Sequence, residues 1–343
     1  MSKIPVFVGL DYHSSFVQIC VLNESGEILS NCKVDNCWRA IKLAAERFGE
    51  PRGAALEACC GAANLADELR TRANWRVQLA HAGYVARMKG NPDKTDFGDA
   101  HLLADLLRVG YLPVVWLAPT EIRELRRLVR FRDQQVKEKR NAKLRIRGFL
   151  REHRLKCTKH TAWTKGWMAW LTSLALSDDD AWILSQQLSK VREQTQRIRE
   201  TEKRLRQRTA NDIVVKALLS QPGVGLVTAA TLRSEVGDFD RFANGKRLAR
   251  FCSVTPRNAS SGNRQADAGM IKAGSSLLRS VIIETAHRLI HRIDSQWAKL
   301  ASRLLLAGKP KNVAVAAVAN RWVRWLHHQI TLEGLNNALT SET

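Results

Sequence analysis

One stretch of the sequence, residues 121 to 155, constrains the fold more than any other segment. It contains no proline and a single glycine, and its apolar residues recur three and four residues apart, which is typical of one long amphipathic helix. A second helix of the same kind is predicted after the acidic segment 177–180, whose Ser177 is interpreted as a helix cap rather than as part of a metal site. Because a Trp-rich connection joins the two helices, we expect an antiparallel coiled-coil hairpin.

The segments on either side of this hairpin differ from it and from each other. The N-terminal part alternates strands with helices after an opening β-hairpin, which predicts an α/β domain with a mixed sheet. Its strands are predicted at 5–11, 16–22, 28–34, 54–57 and 77–80. The C-terminal part is mainly α-helical, with a loop-rich stretch at 241–272. We therefore predict three domains, at 1–115, 116–210 and 211–343.

The chain carries a large excess of positive charge. Its 55 Lys and Arg against 33 Asp and Glu give a net charge of +22 and a pI near 10.2. Such an excess indicates a polyanionic partner, most often nucleic acid, with a merely soluble basic surface as the alternative. The residues of the first long helix that are predicted to contact phosphates are Arg126, Arg127, Arg130, Lys139, Arg140, Lys143 and Arg147.

Cysteine usage and hydropathy bear on the compartment. The seven cysteines are odd in number and include no Cys-x-x-Cys pair, which argues against a disulfide framework and against a zinc site. No apolar run approaches the roughly 18 residues of a membrane span, and the N-terminus does not resemble a secretory signal. We expect a cytoplasmic protein that makes no membrane contact.

Four carboxylates lie at positions where a metal site can form. Asp11 ends the first predicted strand and Glu57 ends the fourth, whereas Asp96 and Asp99 share one face of a helix that begins there. Gathering like charges is unfavourable unless a hard cation shares them, which makes a Mg²⁺ or Mn²⁺ site one interpretation. The alternative is that Asp96 and Asp99 only stabilise a helix N-terminus. His13 either lies near this site or has a packing role.

A basic loop near residue 260 contains a pair of serines. In Ser260-Ser261-Gly262, a hydroxyl could attack a phosphodiester if a base, a metal or arginines activated it. By itself this tripeptide is a turn signal. The nearby basic residues that could contact phosphate are Arg257, Arg264 and Lys272.

Two further features of the C-terminal part each have a structural and a functional interpretation. The turn that contains Gly223 and Gly225 leaves backbone N–H groups free at a helix start, which suits phosphate but also describes a plain helix–helix turn. Trp322 and Trp325 each follow an arginine on one predicted helix. These pairs either clamp nucleic acid or place the tryptophans in the hydrophobic core and the arginines at its edge.

Several motifs occur in one order along the chain. They are Val-Gly-Leu-Asp11, Leu-Glu57-Ala, Lys-Thr-Asp96-Phe-Gly-Asp99-Ala, Gln-Pro-Gly-Val-Gly225-Leu, and Pro256 through Ser261-Gly262, followed by Ile271-Lys-Ala-Gly. Each motif is weak alone. The ordered set, which extends from residue 6 to about 290, resembles the DEDD-type insertion-sequence transposases, a family that includes the Piv-type DNA invertases.

The resemblance implies an N-terminal RuvC-like (RNase H-like) α/β domain, a long coiled-coil hairpin and a mainly α-helical C-terminal transposase domain. It also implies a composite active site, in which four carboxylates bind Mg²⁺ and a serine attacks DNA. The matching carboxylates are Asp11, Glu57, Asp96 and Asp99. The matching serine is Ser261, with its neighbour Ser260 as the alternative.

The same resemblance implies a structured bridge RNA that pairs with donor and target DNA, a Holliday-junction intermediate and a tetramer of two dimers. Two positions depart from the family pattern. Cys59 and Cys60 follow the glutamate, where a glycine and an aromatic residue are more usual, and Phe97 occupies a usually polar place. A RuvC-like junction nuclease that uses metal-activated water and a non-catalytic basic nucleic-acid-binding protein stay open as alternatives.

Overall fold

The computed structural model of the protein describes residues 4–89, 95–258, 267–292 and 295–340. The chain divides into two compact units, Met1–Ala118 and Pro119–Thr343. The long basic helices belong to the second unit. The three-domain division at 115 and 210 stays a prediction.

The first unit is built around one mixed β-sheet. Its strands are β1 (Pro5–Tyr12), β2 (Phe16–Leu22), β3 (Ile28–Asp35), β4 (Glu50–Glu57), β5 (Val77–Ala80) and β6 (Val114–Val115). Its helices are α1 (Trp38–Glu46), α2 (Ala62–Arg72), α3 (Ala82–Met88) and α4 (Asp96–Arg108). Within the described residues the strand order is β3-β2-β1-β4-β5-β6, in which β1, β4 and β5 run parallel and the other strands are antiparallel to their neighbours. This arrangement is compatible with the expected RNase H-like domain.

Both faces of the sheet are covered because the residues of β1 alternate between two sets of neighbours. Val8 and Leu10 are fully buried against α1 and α2. Gly9 points the other way, toward α4, on the same side as Cys20 of β2. A Cβ at Gly9 would lie 2.5 Å from the amide nitrogen of Ala104, so the glycine allows α4 to pack directly on the central strand.

The second unit is mainly helical. Its helices are α5 (Thr120–Glu152), α6 (Lys165–Thr172), α7 (Asp178–Thr209), α8 (Ile213–Leu219), α9 (Leu226–Val236), α10 (Gly245–Phe251), α11 (Ser276–Ile290), α12 (Gln296–Leu306) and α13 (Lys311–Thr340). A two-stranded ribbon joins β7 (Pro256–Asn258) to β8 (Asp267–Met270). Among the helices that the structure describes, none combines the length and the apolar character needed to cross a bilayer.

The two long helices α5 and α7 pack along each other in opposite directions. Val129, in the first part of α5, shares a cluster with Leu205 near the end of α7. Ile146, near the end of α5, clusters with Leu188 in the first half of α7. The Ser177 side chain accepts a backbone hydrogen bond from the first turn of α7, as predicted. The antiparallel pair of helices is thus confirmed, and its coiled-coil geometry stays a prediction.

Helix α6 packs with α5 and α7 through Trp167 and Leu171, whereas helices α8 to α13 pack around Trp322, which is fully buried. The structure corrects the sequence prediction at α10, which lies within the stretch 241–272 that was expected to be loop-rich. This helix has only seven residues, of which only Leu248 and Ala249 are buried. Because Lys and Arg make up most of the remainder, its composition resembles that of a basic loop. Helices α3 and α12 were not predicted either, nor was α6, which lies in the segment interpreted as a Trp-rich connection.

Candidate active site

Asp11 and Glu57 end neighbouring parallel strands. Leu10 of β1 pairs with Leu56 of β4, so the two acidic residues follow side by side at the carboxyl edge of the sheet. Because side chains alternate along a strand, Asp11 faces the same side as Gly9, which is the side of α4. The parallel register gives Glu57 the same orientation.

The two remaining carboxylates lie in the first turn of α4. Thr95 caps this helix, since its Oγ1 accepts a hydrogen bond from the amide of Gly98 at 3.1 Å. Asp96 and Asp99 follow directly. The free N–H groups of a helix N-terminus stabilise negative charge there, so acidic side chains are favoured at this position.

A pair of amide side chains fixes the start of α4 to the sheet. Gln18, which pairs with Asp11 across β1 and β2, donates from Nε2 to Oδ1 of Asn31 at 2.6 Å. Asn31 in turn donates from Nδ2 to the carbonyl oxygen of Phe97 at 3.0 Å. The first turn of α4 is therefore held at the level of the acidic end of β1.

An imidazole joins Asp11 to Asp96. His13 Nε2 lies 3.2 Å from Oδ2 of Asp11 and 3.4 Å from Oδ1 of Asp96. The ring is stacked on Phe16, with 4.4 Å between the ring centroids. One potential ligand atom from each of Asp11, His13 and Asp96 lies within 4.8 Å of the others, so these side chains form one cluster. Of the two readings of His13 that the sequence allowed, the structure supports a place in the site.

Two lysines neutralise the carboxylates of α4. Lys33 Nζ, from β3, lies 3.2 Å from Oδ2 of Asp96. Lys89 Nζ, just after α3, lies 2.5 Å from Oδ1 of Asp99. Neither lysine was a candidate from the sequence, because only the strand register and the packing of α3 bring them to the acidic residues.

Burial and like charge act together on Asp11. Burial raises the pKa of the Asp11 carboxyl above its ordinary value of 3.8, and the charges of Asp99 and Asp96 add to this shift. The charge of His13 and its hydrogen bond oppose it. The carboxylate of β1 therefore interacts electrostatically with those of α4.

The pKa of the Cys59 thiol is influenced by Glu57. Burial is the main cause that raises the pKa of Cys59, and the charges of Glu57 and Asp11 raise it further, while a hydrogen bond with the backbone of Ala62 lowers it. Cys59, one of the departures from the family pattern, is an exposed residue two positions after Glu57.

The donor set fits a divalent cation. Carboxylate oxygens are the ligands that Mg²⁺ and Mn²⁺ prefer, and an imidazole nitrogen is acceptable to Mn²⁺ and other transition metals. Asp11 and Asp96 belong to the clustered group with His13, whereas Glu57 and Asp99 border it without belonging to it. A shared ion for all four carboxylates stays a prediction.

Several residues predicted to contact phosphate are engaged within the second unit. Arg126 donates from Nε to the carbonyl oxygen of Ser234 at 2.9 Å, and burial lowers the pKa of its guanidinium. Arg130 forms two hydrogen bonds to Glu235, at 2.9 and 3.1 Å. Lys143 lies over the ring of Trp163, 4.2 Å from the centroid. The more accessible members of the set are Arg127, Arg140 and Arg147, with Lys139 half-buried.

The candidate residues of the C-terminal part are either engaged within the fold, exposed, or outside the described residues. Gly223 adopts a positive φ of 79°, and its carbonyl oxygen accepts a hydrogen bond from Arg288. Gly225 forms the N-cap of α9 without a side-chain hydrogen bond. Arg257 and Lys272 are exposed. The residues that lie outside the described part of the chain are Ser260, Ser261, Gly262 and Arg264.

Two family models match separate parts of the chain. A DEDD transposase model of the IS110 type, described as "Transposase", matches residues 8–154, which include all four carboxylates. A second model, "Transposase IS116/IS110/IS902 family", matches residues 215–302. The second match covers the glycine turn and the serine loop.

Curated relatives agree with these models. The transposase for insertion sequence element IS1111A of Coxiella burnetii is 24% identical over 92% of this chain and 86% of its own length. The transposase for insertion sequence element IS1328 of Yersinia enterocolitica is 25% identical over 79% and 81%, respectively. A probable family 20 transposase of Pseudomonas aeruginosa is 25% identical over 93% and 95%. Together with the acidic cluster at the carboxyl edge of the sheet, these matches show that the chain belongs to the IS110 family of DEDD transposases.

Proposed function

We propose that this transposase cleaves and exchanges DNA strands in a reaction that depends on Mg²⁺ or Mn²⁺. The observation that carries the proposal is the cluster of Asp11, His13 and Asp96, with Glu57 on the adjacent strand and Asp99 on the same helix turn. Carboxylates that lie this close together repel one another, and a bound divalent cation offsets that repulsion. The proposed metal-binding residues are Asp11, Glu57, Asp96 and Asp99.

The chain's own residues divide the work in this scheme. A bound divalent ion supplies positive charge that polarises the scissile phosphate. Asp11 and Asp96 would hold that ion, and His13, which contacts both carboxylates, would fix their separation. Lys33, which contacts Asp96, and Lys89, which contacts Asp99, would be free to contact phosphate oxygens if a bound ion took their place at these carboxylates.

Ser261 is the proposed nucleophile, on the strength of the family resemblance and of the family match over residues 215–302. Its Oγ forms a bond to phosphorus while the bond from phosphorus to a deoxyribose oxygen breaks. The serine gives up its hydroxyl proton and the departing oxygen gains one, so charge balances across the step. The covalent protein–DNA linkage conserves the energy needed to rejoin strands by way of a Holliday junction.

Guidance and assembly complete the proposal. A structured bridge RNA selects donor and target DNA, and the active form is a tetramer of two dimers. The antiparallel helices α5 and α7, as a coiled coil, offer a basic surface for RNA or DNA phosphates, with Arg127, Arg140 and Arg147 accessible on it. A discrete transcript found by sequencing the RNA that co-purifies with the protein supports guidance, whereas random fragments contradict it.

The serine and metal assignments are tested together with donor and target plasmids. We expect Asp11→Asn to abolish strand exchange and leave DNA binding nearly intact. Ser261→Ala should also abolish the adduct that the wild-type protein leaves on a denaturing gel, and Ser260→Ala is the matched control that keeps it. Strand exchange by Ser261→Ala at the normal rate would refute the serine assignment.

A second candidate is hydrolysis of a DNA junction by activated water. The specific observation in its favour is His13, whose imidazole contacts two carboxylates and offers a base next to the metal-binding residues. In that case the protein cleaves junctions without a covalent adduct, and Ser261→Ala keeps full activity.

A plasmid with both sites on one molecule separates an invertase, which inverts the segment between the sites, from a transposase, which moves it.

A further inference from the structure

A groove on the second unit gathers cations without acidic partners. Two adjoining cavities, of about 710 and 430 Å³, lie along α10, α12 and α13 and share Arg321 in their walls. The cations of the groove are Lys246, Lys299, Arg303, Arg321 and Arg324. All five side chains are exposed, and the described residues that line the groove include no carboxylate.

These cations differ from the basic residues of the long helices. Arg132 of α5, for example, is 2.7 Å from Glu202 of α7, whereas none of the groove cations forms an ion pair with any residue that the structure describes. Arg321 and Arg324 are three residues apart on α13, and Lys299 is four residues before another groove cation on α12. Like charges at these spacings destabilise a helix, so the arrangement favours a bound polyanion that offsets the repulsion.

An aromatic face lies among the cations. Trp325 is half-buried in the wall of the larger cavity, and its ring meets Trp297 at 72° with 5.7 Å between centroids. Trp322, three residues earlier, is fully buried in the core, so it is Trp325 that reaches the groove. The start of α10 also lines the larger cavity and packs directly on α13, since a Cβ at Gly245 would lie 2.6 Å from the carbonyl oxygen of Arg324.

We propose that this groove binds a single-stranded segment of DNA, with its phosphates on the cations and one base stacked on Trp325. Arginine pairs well with phosphate oxygens, and an aromatic ring set between cations is the usual platform for an unpaired base. A duplex hides the faces of its bases and leaves Trp325 unused. The site rests on membership of a DNA transposase family and is independent of the proposed nucleophile and of RNA guidance.

Fluorescence anisotropy of a labelled short oligothymidylate, measured with the full chain, tests the cations. We expect Arg321→Ala/Arg324→Ala to bind about tenfold more weakly, because two charged hydrogen-bond donors are lost. The slope of log affinity against log salt should flatten by about 1.4, as two phosphate contacts disappear. The matched control, Arg250→Ala/Lys311→Ala, removes two exposed cations of α10 and α13 that do not line the groove. It should keep near wild-type affinity.

The stacking contact has its own signature. Trp325→Leu keeps apolar packing against Trp297 and is expected to weaken binding about tenfold, with an unchanged salt slope because no charge is lost. Circular dichroism and Mn²⁺ titration of each variant show whether the fold and the acidic cluster are intact, so failure of the groove and failure of the metal site are distinguishable.

Three outcomes overturn the proposal. The first is equal loss of affinity in the groove variant and in its control. The second is duplex DNA that binds as tightly as the single strand and is insensitive to Trp325→Leu. The third is single-stranded RNA that binds more tightly than DNA and loses more affinity on substitution, which would assign the groove to RNA.

Discussion

Gly9 of β1 lies directly against Ala104 of α4, where a Cβ on the glycine would stand 2.5 Å from the alanine's amide nitrogen. Asp11 is two residues further along the same face of β1, and Asp96 lies about two turns before Ala104 on α4. The close approach of strand and helix therefore sets the separation of two candidate metal ligands. The geometry of the acidic cluster depends on a residue that carries no side chain.

Gly9→Ala should push α4 away from the sheet. Overpacking of this kind lowers the free energy of unfolding by about 1–3 kcal/mol, and we expect Mn²⁺ affinity to fall as well. Gly53→Ala on β4 is the matched control, since its Cβ would meet Leu107 at an ordinary 3.4 Å. Urea denaturation and hydrogen exchange of β1 peptides measure the stability of both variants, and Mn²⁺ titration measures their affinity for the ion. Equal stability of the two variants would contradict the role given to Gly9.

Asp11→Asn and Asp96→Asn should each weaken Mn²⁺ binding about tenfold or more, because the amide keeps the shape of the carboxylate and loses its charge. Isothermal titration calorimetry at fixed pH checks this. Glu68→Gln, on the exposed face of α2, provides a control that removes one acidic charge on the opposite side of the sheet from α4. Wild-type affinity in both cluster variants would show that the ion binds elsewhere.

Lys89→Gln removes the ammonium group 2.5 Å from Asp99. We expect the metal-free protein to unfold at a lower temperature, since Asp99 then lacks its partner, and Mn²⁺ to raise the unfolding temperature more than in the wild type. Differential scanning calorimetry with and without chelator measures the two shifts. Lys42→Gln, which removes a looser helix-surface pair with Glu46 at 3.8 Å, should respond to metal as the wild type does.

Arg130→Ala should destabilise the second unit by about 1–3 kcal/mol, because Glu235 is left buried without its partner. The double variant Arg130→Ala/Glu235→Gln should regain part of this loss. A double-mutant cycle by urea denaturation measures the coupling. If Arg130→Ala instead weakens DNA binding at unchanged stability, the arginine serves nucleic acid rather than the fold.

The strand-end carboxylates were predictable because the local pattern is simple. The apolar runs that close on Asp11 and Glu57 are β-strands, and parallel pairing brings their ends together. The start of α4 at Asp96 was likewise visible in the sequence. His13 was left between two interpretations, since nothing local fixes the direction of its ring; stacking on Phe16 does.

The cations of the site needed tertiary information. Lys33 reaches Asp96 through the pairing of β2 with β3, and Lys89 reaches Asp99 after a helix, α3, that the sequence did not reveal. The two tryptophans of α13 show the same limit. Their spacing is compatible with either core or surface, and only the packing of the neighbouring helices separates buried Trp322 from Trp325 in the groove.

Lys33 and Lys89 provide the acidic residues with counterions from the chain itself. These contacts balance part of the negative charge of the cluster before any divalent ion binds. If the site binds a divalent ion as proposed, we expect the first unit to fold without that ion and the ion to replace the ammonium groups without refolding of the domain.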